Sequence, residues 1–175
     1  MRGTIELRTE RLLLRRHHTG DAKILHEEFG CDPKMFEYSG WNPYETAEMA
    51  ENTVREFIAS YDDPRFYGWA IDLNGQLVGT IGAYDYDDEI GQIEVGMSIK
   101  RDCWGKGFAG EALTAVIHYL SEQEGIRNVT AWCASDNIGS MKVMKKAGMI
   151  LTEKQTGALE ISGERYDKLI FNTDI

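Results

Sequence analysis

No run of this 175-residue sequence is apolar for long enough to span a bilayer, and the opening Met1-Arg2-Gly3-Thr4 carries no apolar core of a secretory signal. Cysteine is scarce. Cys31, Cys103 and Cys133 are odd in number, widely spaced, and form neither a C-x-x-C pair nor a metal-ligand spacing with the four histidines. That argues against a disulfide framework or a bound metal and predicts free thiols in a reducing cytoplasm. Positive charge is also short: 19 Lys and Arg stand against 29 Asp and Glu, a formal charge of −10. Such a balance speaks against nucleic-acid binding and suits either simple solubility or a cationic partner. No low-complexity linker and no internal repeat interrupts the chain. With 42% hydrophobic residues, 1–175 is expected to be one domain with an adequate core.

What is present is a continuous α/β alternation. Arg11 to Arg15 forms a first strand, and Thr19-Gly20-Asp21 leads into a helix closed by Gly30. Asn42-Pro43-Tyr44-Glu45 has the form of a helix start, opening a helix with Ala47, Ala50, Val54, Phe57 and Ile58 on one side. Phe66 to Leu73 and Leu77 to Tyr84 flank Asn74-Gly75, a two-residue hairpin signal. A polar turn, Asp85 to Glu89, leads to the strand Ile93 to Ile99, completing an antiparallel meander. Helix 108–124, strand Val129 to Cys133, helix Asn137 to Ala147 and two closing strands, Met149 to Thr156 and Arg165 to Asn172, follow. The expected class is a mixed, mostly antiparallel α/β (α+β) sheet of about six or seven strands with about four helices.

Between that third meander strand and its helix stands Trp104-Gly105-Lys106-Gly107-Phe108-Ala109-Gly110. Glycines there let the backbone approach a ligand without Cβ interference, and the helix start offers free N–H groups and a positive dipole end. This is a phosphate site. A nucleotide P-loop is excluded, because Lys106 is followed by Gly107 where Ser or Thr is required. The dinucleotide fingerprint G-x-G-x-x-G fits Gly105 to Gly110 literally. Its βαβ context is missing, and the offset of about twenty residues falls on Val129 and Thr130 rather than on an acid.

From Ile99 the chain continues Ile99-Lys100-Arg101-Asp102-Cys103-Trp104-Gly105-Lys106-Gly107-Phe108-Ala109, followed by Glu111-Ala112-Leu113. This resembles the pyrophosphate signature of the GNAT N-acetyltransferase superfamily, in the branch of the ribosomal-protein N-terminal (RimJ/RimL-type) enzymes. Leu7 to Arg15, Asn137-Ile138-Gly139-Ser140 and Lys146-Ala147-Gly148-Met149 extend the resemblance over roughly Ile5 to Phe171. Trp104 replaces the common Arg or Gln of the turn, and Ala109 the last glycine. The resemblance implies acetyl-CoA as co-substrate, no metal, and direct transfer to a primary amine in a ternary complex. The acceptor is then a protein N-terminus or a small molecule, with no nucleic-acid or membrane partner and a possible homodimer in the cytoplasm. A non-catalytic acyl-CoA-binding module is the alternative of another class, and a nicotinamide-dependent oxidoreductase a weaker one.

The same resemblance assigns residues. Main-chain groups of Met97, Ser98 and Ile99 would pair with the pantetheine arm where that strand splays from its neighbour through a bulge. The amides of Trp104, Gly105, Lys106, Gly107, Phe108 and Ala109 would hold the pyrophosphate. Asn137 would hold the cofactor arm, Ser140 would serve near the thiolate, and Glu94 would be general base for the ammonium. The tyrosine that some members carry seven residues after the asparagine is Met144 here. Independently of the resemblance, Ile93, Val95, Met97 and Ile99 alternate to one face, leaving Glu94, Gly96 and Ser98 on the other. Gly96 marks either a close backbone approach or relief of crowding. Asp136 or Asn137 also suits a helix cap. Asp85, Asp87, Asp88 and Glu89 form a solvated acidic turn that could border the acceptor. Trp41, Tyr44 and Trp69 are expected in the core or a cleft wall, and Phe36 to Tyr44 is a candidate specificity loop.

Overall fold

The computed structural model describes residues 1–173. Strands β1 (Leu7–Arg8) and β2 (Leu13–Arg15) form a short hairpin. The meander is β3 (Tyr67–Leu73), β4 (Gln76–Asp87) and β5 (Gln92–Ile99); β6 (Asn128–Ala134), β7 (Ile150–Ile161) and β8 (Glu164–Asn172) complete the sheet. The order is β1-β2-β3-β4-β5-β6-β8-β7, eight strands, antiparallel throughout except for β5 beside β6. The count exceeds the sequence expectation because β1, two residues long, is too short to show an alternating pattern.

The helices are α1 (Asp21–Ile24), α2 (Ala47–Ser60), α3 (Phe108–His118) and α4 (Ile138–Lys146). Wider turns continue α1 over Leu25–Gly30 and α3 over Tyr119–Gln123; Cys31 N donates to His26 O at 2.9 Å, five residues back. Ala22, Leu25, Phe29, Ala50 and Val54 bury against Ala70 and Leu77. Phe108, Leu113, Val116 and Met144 instead join Ile71, Val78, Ile93, Val129 and Phe171. Adjacent strand residues point to opposite faces, so Ala70 and Ile71 divide the two layers: α1 and α2 cover one face of the sheet, α3 and α4 the other.

The Asn74-Gly75 hairpin is present, with both residues at positive φ, 54° and 84°. Three local expectations are corrected. Helix α2 starts later than the Asn42-Pro43 signal, at a cap made by Thr46, whose hydroxyl accepts from Met49 N at 3.1 Å. Asn42 instead closes a turn, accepting from Tyr44 N at 3.0 Å, because Tyr44 is pulled into the core against Gly30. The β4–β5 turn shifts as well. Tyr84 faces Glu94 but Asp87 faces Gln92, so one extra residue bulges from β4, with Asp85 at φ 55°. Trp69 is fully buried and Tyr44 nearly so, whereas Trp41 is 68% exposed and lies outside the core.

Candidate active site

Strands β5 and β6 pair only from Gln92↔Asn128 to Glu94↔Thr130. Beyond that point β5 runs on to Ile99 and β6 to Ala134 without touching, which leaves a wedge between two parallel strands. Their free edges are defined by register. Lys100 N donates to Val78 O at 2.8 Å, so the alternate residues Ser98, Gly96 and Glu94 turn their main-chain groups to β4. Met97 and Ile99 turn theirs into the wedge. Ser98 therefore separates from the other two: its backbone is spent on β4 and its hydroxyl lies 3.2 Å from Thr80 Oγ1. The Ile99 carbonyl is already taken by Trp104 Nε1 at 2.6 Å, a role for the unusual tryptophan that leaves the Ile99 N–H open. The irregularity expected in β5 lies in its partner β4, at Asp85.

At the broad end of the wedge the chain turns into α3 through Gly105 (φ 75°) and Gly107 (φ 84°), conformations that exclude a Cβ cheaply only for glycine. Trp104 N is used locally, by Arg101 O at 3.1 Å. The amides of residues 105–110 meet no acceptor among the described residues and converge at the positive end of α3. Two cations that the sequence did not announce lie beside them. A Cβ at Gly107 would stand 3.3 Å from Arg11 Nη2 and 3.9 Å from Lys146 Nζ. Arg11 is held there by Glu111 at 2.7 Å, by the Lys106 carbonyl at 3.0 Å, and over the Phe108 ring at 4.6 Å.

Across the wedge, α4 starts at Asn137, whose Oδ1 accepts from Ser140 N at 3.1 Å. The cap occupies that oxygen only, and the amide Nδ2 donates to nothing among the described residues. The Ser140 hydroxyl, half-buried on the same first turn, has no partner there either. Met144 is buried in the core. On the opposite face of the sheet Glu94 accepts from Trp132 Nε1 at 2.9 Å. Partial desolvation of a side chain still 46% exposed, together with the adjacent Glu94 carboxylate, pushes the Tyr84 phenol above its ordinary range, so it stays protonated at neutral pH. Gly96 is explained by the same tyrosine: a Cβ there would come within 2.6 Å of Tyr84 Oη. Crowding, rather than a bulge, fixes that glycine. Burial also pushes the Cys133 thiol up to about 11, which removes it as a nucleophile at neutral pH.

The acetyltransferase (GNAT) domain family matches residues 11–150. The chain belongs to that family. N-acetyltransferase YoaA of Bacillus subtilis is 30% identical over 168 residues, covering 95% of this chain and 94% of its own. A GNAT-family acetyltransferase from Bacillus anthracis superposes with a TM-score of 0.84 at 25% identity, over 96% of this chain and 97% of that one. The fold is shared as well with RimL, a ribosomal L7/L12 alpha-N-protein acetyltransferase solved in complex with coenzyme A (TM-score 0.84, 18% identity, 94% of each chain).

In this GNAT domain the loop between α1 and α2 walls the Glu94 face. Its ends are clamped by Asn42 Nδ2 on Gly30 O at 2.8 Å and by His26 Nδ1 on Tyr44 O at 2.9 Å. Its middle reaches the β7–β8 hairpin, where Tyr38 meets Tyr166 edge to face at 5.8 Å. Trp132, Tyr84, Arg11 and Lys146 escaped the sequence reading. Each is tied to the site by contacts 12 to 96 positions distant in the chain, and only Trp132 carried a local hint, by alternation on β6. The acidic turn is a solvated one: Asp87 caps Glu89 N at 2.9 Å and Asp88 pairs with Arg65 at 3.0 Å. Among the described residues no group of His, Cys, Asp or Glu is gathered to hold a metal, and no helix is long and apolar enough to cross a membrane.

Proposed function

We propose that this chain transfers the acetyl group of acetyl-CoA to a primary amine by direct attack in a ternary complex. The observation that carries this reading is the wedge between β5 and β6, which ends on the unengaged amides of residues 105–110. Met97 and Ile99 would pair along the pantetheine arm as an added strand does. The 105–109 amides, with Arg11 and Lys146 beside them, would take the pyrophosphate, and Asn137 Nδ2 would hold the arm from the other side. When bound, acetyl-CoA supplies a thioester carbonyl open to attack by an unprotonated amine.

Glu94 takes the proton that the acceptor's ammonium must lose, directly or through one water. Trp132 orients it by the 2.9 Å bond, and the protonated Tyr84 flanks it. Ser140, its hydroxyl uncommitted, donates toward the departing thiolate. The acceptor is a protein N-terminus or a small amine. RimL supplies the precedent for the first in a protein of this fold. Isothermal titration with acetyl-CoA, with NADH as matched control, tests the cofactor. Micromolar binding of acetyl-CoA alone is expected, followed by CoA release on adding amines. Binding of NADH instead would restore the dinucleotide reading, and binding of acetyl-CoA without turnover of any amine would favour a non-catalytic module.

A further inference from the structure

Strand β8 brings to the Glu94 face a cation that no carboxylate neutralises. Lys168 is half-buried, and its ammonium lies 4.8 Å from the centroid of the Trp132 ring, with no ion pair among the described residues. Three cations near the glycine turn are paired, Lys100 with Glu28, Arg101 with Asp32 at 2.6 Å and Arg11 with Glu111 at 2.7 Å, whereas Lys106 and Lys146 there, like Lys168, pair with no carboxylate among the described residues. Even the neighbouring Asp167 is committed elsewhere, to Lys154 at 2.9 Å, because alternation turns it to the opposite side of β8. Cation–π contact alone leaves a partly desolvated ammonium short of the anion that would complete it.

Trp132 joins this cation to the candidate base. One edge of the indole donates to Glu94 Oε1 at 2.9 Å while the ring face carries Lys168. Register confirms the shared face: Lys168 pairs with Ala134, two residues along β6 from Trp132. A negative and a positive group thus stand one indole ring apart, beyond the 4 Å of a mutual ion pair. Such a pair is complementary to a zwitterion. Tyr166, two residues before Lys168 on the same face, meets Tyr38 of the covering loop and closes the space beyond.

We propose that Lys168 is an anion-reading subsite, and that the acceptor is an amine of amino-acid type carrying a carboxylate a few bonds from its nitrogen. Its ammonium lies at Glu94 and its anion at Lys168. This rests on the reading of Glu94 as the residue that receives the acceptor's amine. The anion can be the carboxylate of a free amino acid or the side chain of an acidic N-terminal residue.

CoA release is measured with L-leucine against L-leucinamide, and with a Glu-initiated against a Gln-initiated tripeptide amide, for the wild type and Lys168→Gln. Acetyl-CoA binding by both proteins is measured alongside. The wild type is expected to prefer the carboxylate-bearing member of one pair by about ten- to a hundredfold in kcat/KM. Lys168→Gln is expected to abolish that preference while leaving acetyl-CoA affinity unchanged; the pair that responds identifies the source of the anion. Equal use of both members of both pairs overturns the subsite, as does a loss in Lys168→Gln that is the same for all four. So does the absence of turnover with any of them while acetyl-CoA binds; in each case the cofactor assignment survives. A protein that fails to bind acetyl-CoA removes the transferase reading itself, and the subsite with it.

Discussion

Glu94 stands where three strands present side chains to one face, and its surroundings divide labour among single atoms. Replacing it by Gln keeps the shape and the Trp132 bond but removes the proton acceptor. A fall in kcat/KM of roughly 10²- to 10⁴-fold is expected, with acetyl-CoA affinity by calorimetry unchanged. Trp132→Phe keeps the ring and removes only the Nε1–H that fixes the carboxylate. Here kcat is expected to fall by roughly 10- to 100-fold with KM for acetyl-CoA held, since the defect is one of aim. A tryptophan that served packing alone would lower the melting temperature without that split. Glu94 was legible from strand alternation together with the resemblance. Trp132 was not, because its hydrogen bond spans 38 residues and exists only once β6 lies parallel to β5.

At the scale of elements, the site is a consequence of incomplete pairing. The sequence marks β5 and α3 well: alternation from Ile93 to Ile99, then two glycines that must adopt positive φ. Gly107→Ala forces an L side chain to φ 84° with its Cβ 3.3 Å from Arg11, a strain of roughly 1–2 kcal/mol. It is expected to weaken acetyl-CoA binding about tenfold or more by calorimetry. Gly148→Ala is the control. It has the same handedness, φ 86°, but open space around it, so thermal stability should drop while acetyl-CoA affinity stays. The wedge was implied by family resemblance alone. Nothing in the residues of β6 says that its pairing with β5 stops after Thr130, and the extra residue at Asp85 was hidden in a polar stretch that resembles any turn.

For the molecule as a whole, a buried ionic knot anchors the N-terminal hairpin to α1 and β3. Arg15 grips Asp21 with two bonds of 2.9 Å and reaches Asp72 at 3.2 Å, while Asp21 is fully buried. Burial alone pushes the Asp21 carboxyl up, but contacts from His17 and Arg15 reverse this and hold it well below the usual carboxylate range. A depressed folded pKa means stability that is complete above the unfolded value near 4 and is lost as pH falls toward the folded one. Asp21→Asn leaves the half-buried Arg15 with Asp72 as its one remaining carboxylate and removes the charge that took two of its bonds. It is expected to cost roughly 3–5 kcal/mol at pH 7, and clearly less in parallel urea unfolding near pH 3. A loss independent of pH would show that Asp21 acts through shape rather than charge. The sequence by itself determined the order of strands and helices along the chain, the positive-φ glycine turn and the family, because periodicity and glycine conformation are local properties. Only the tertiary structure decided which cations flank that turn, which tryptophan holds Glu94 and which lysine stands unpaired opposite it. Those contacts join residues of different strands, and a one-dimensional pattern carries no record of which strands become neighbours or where they part.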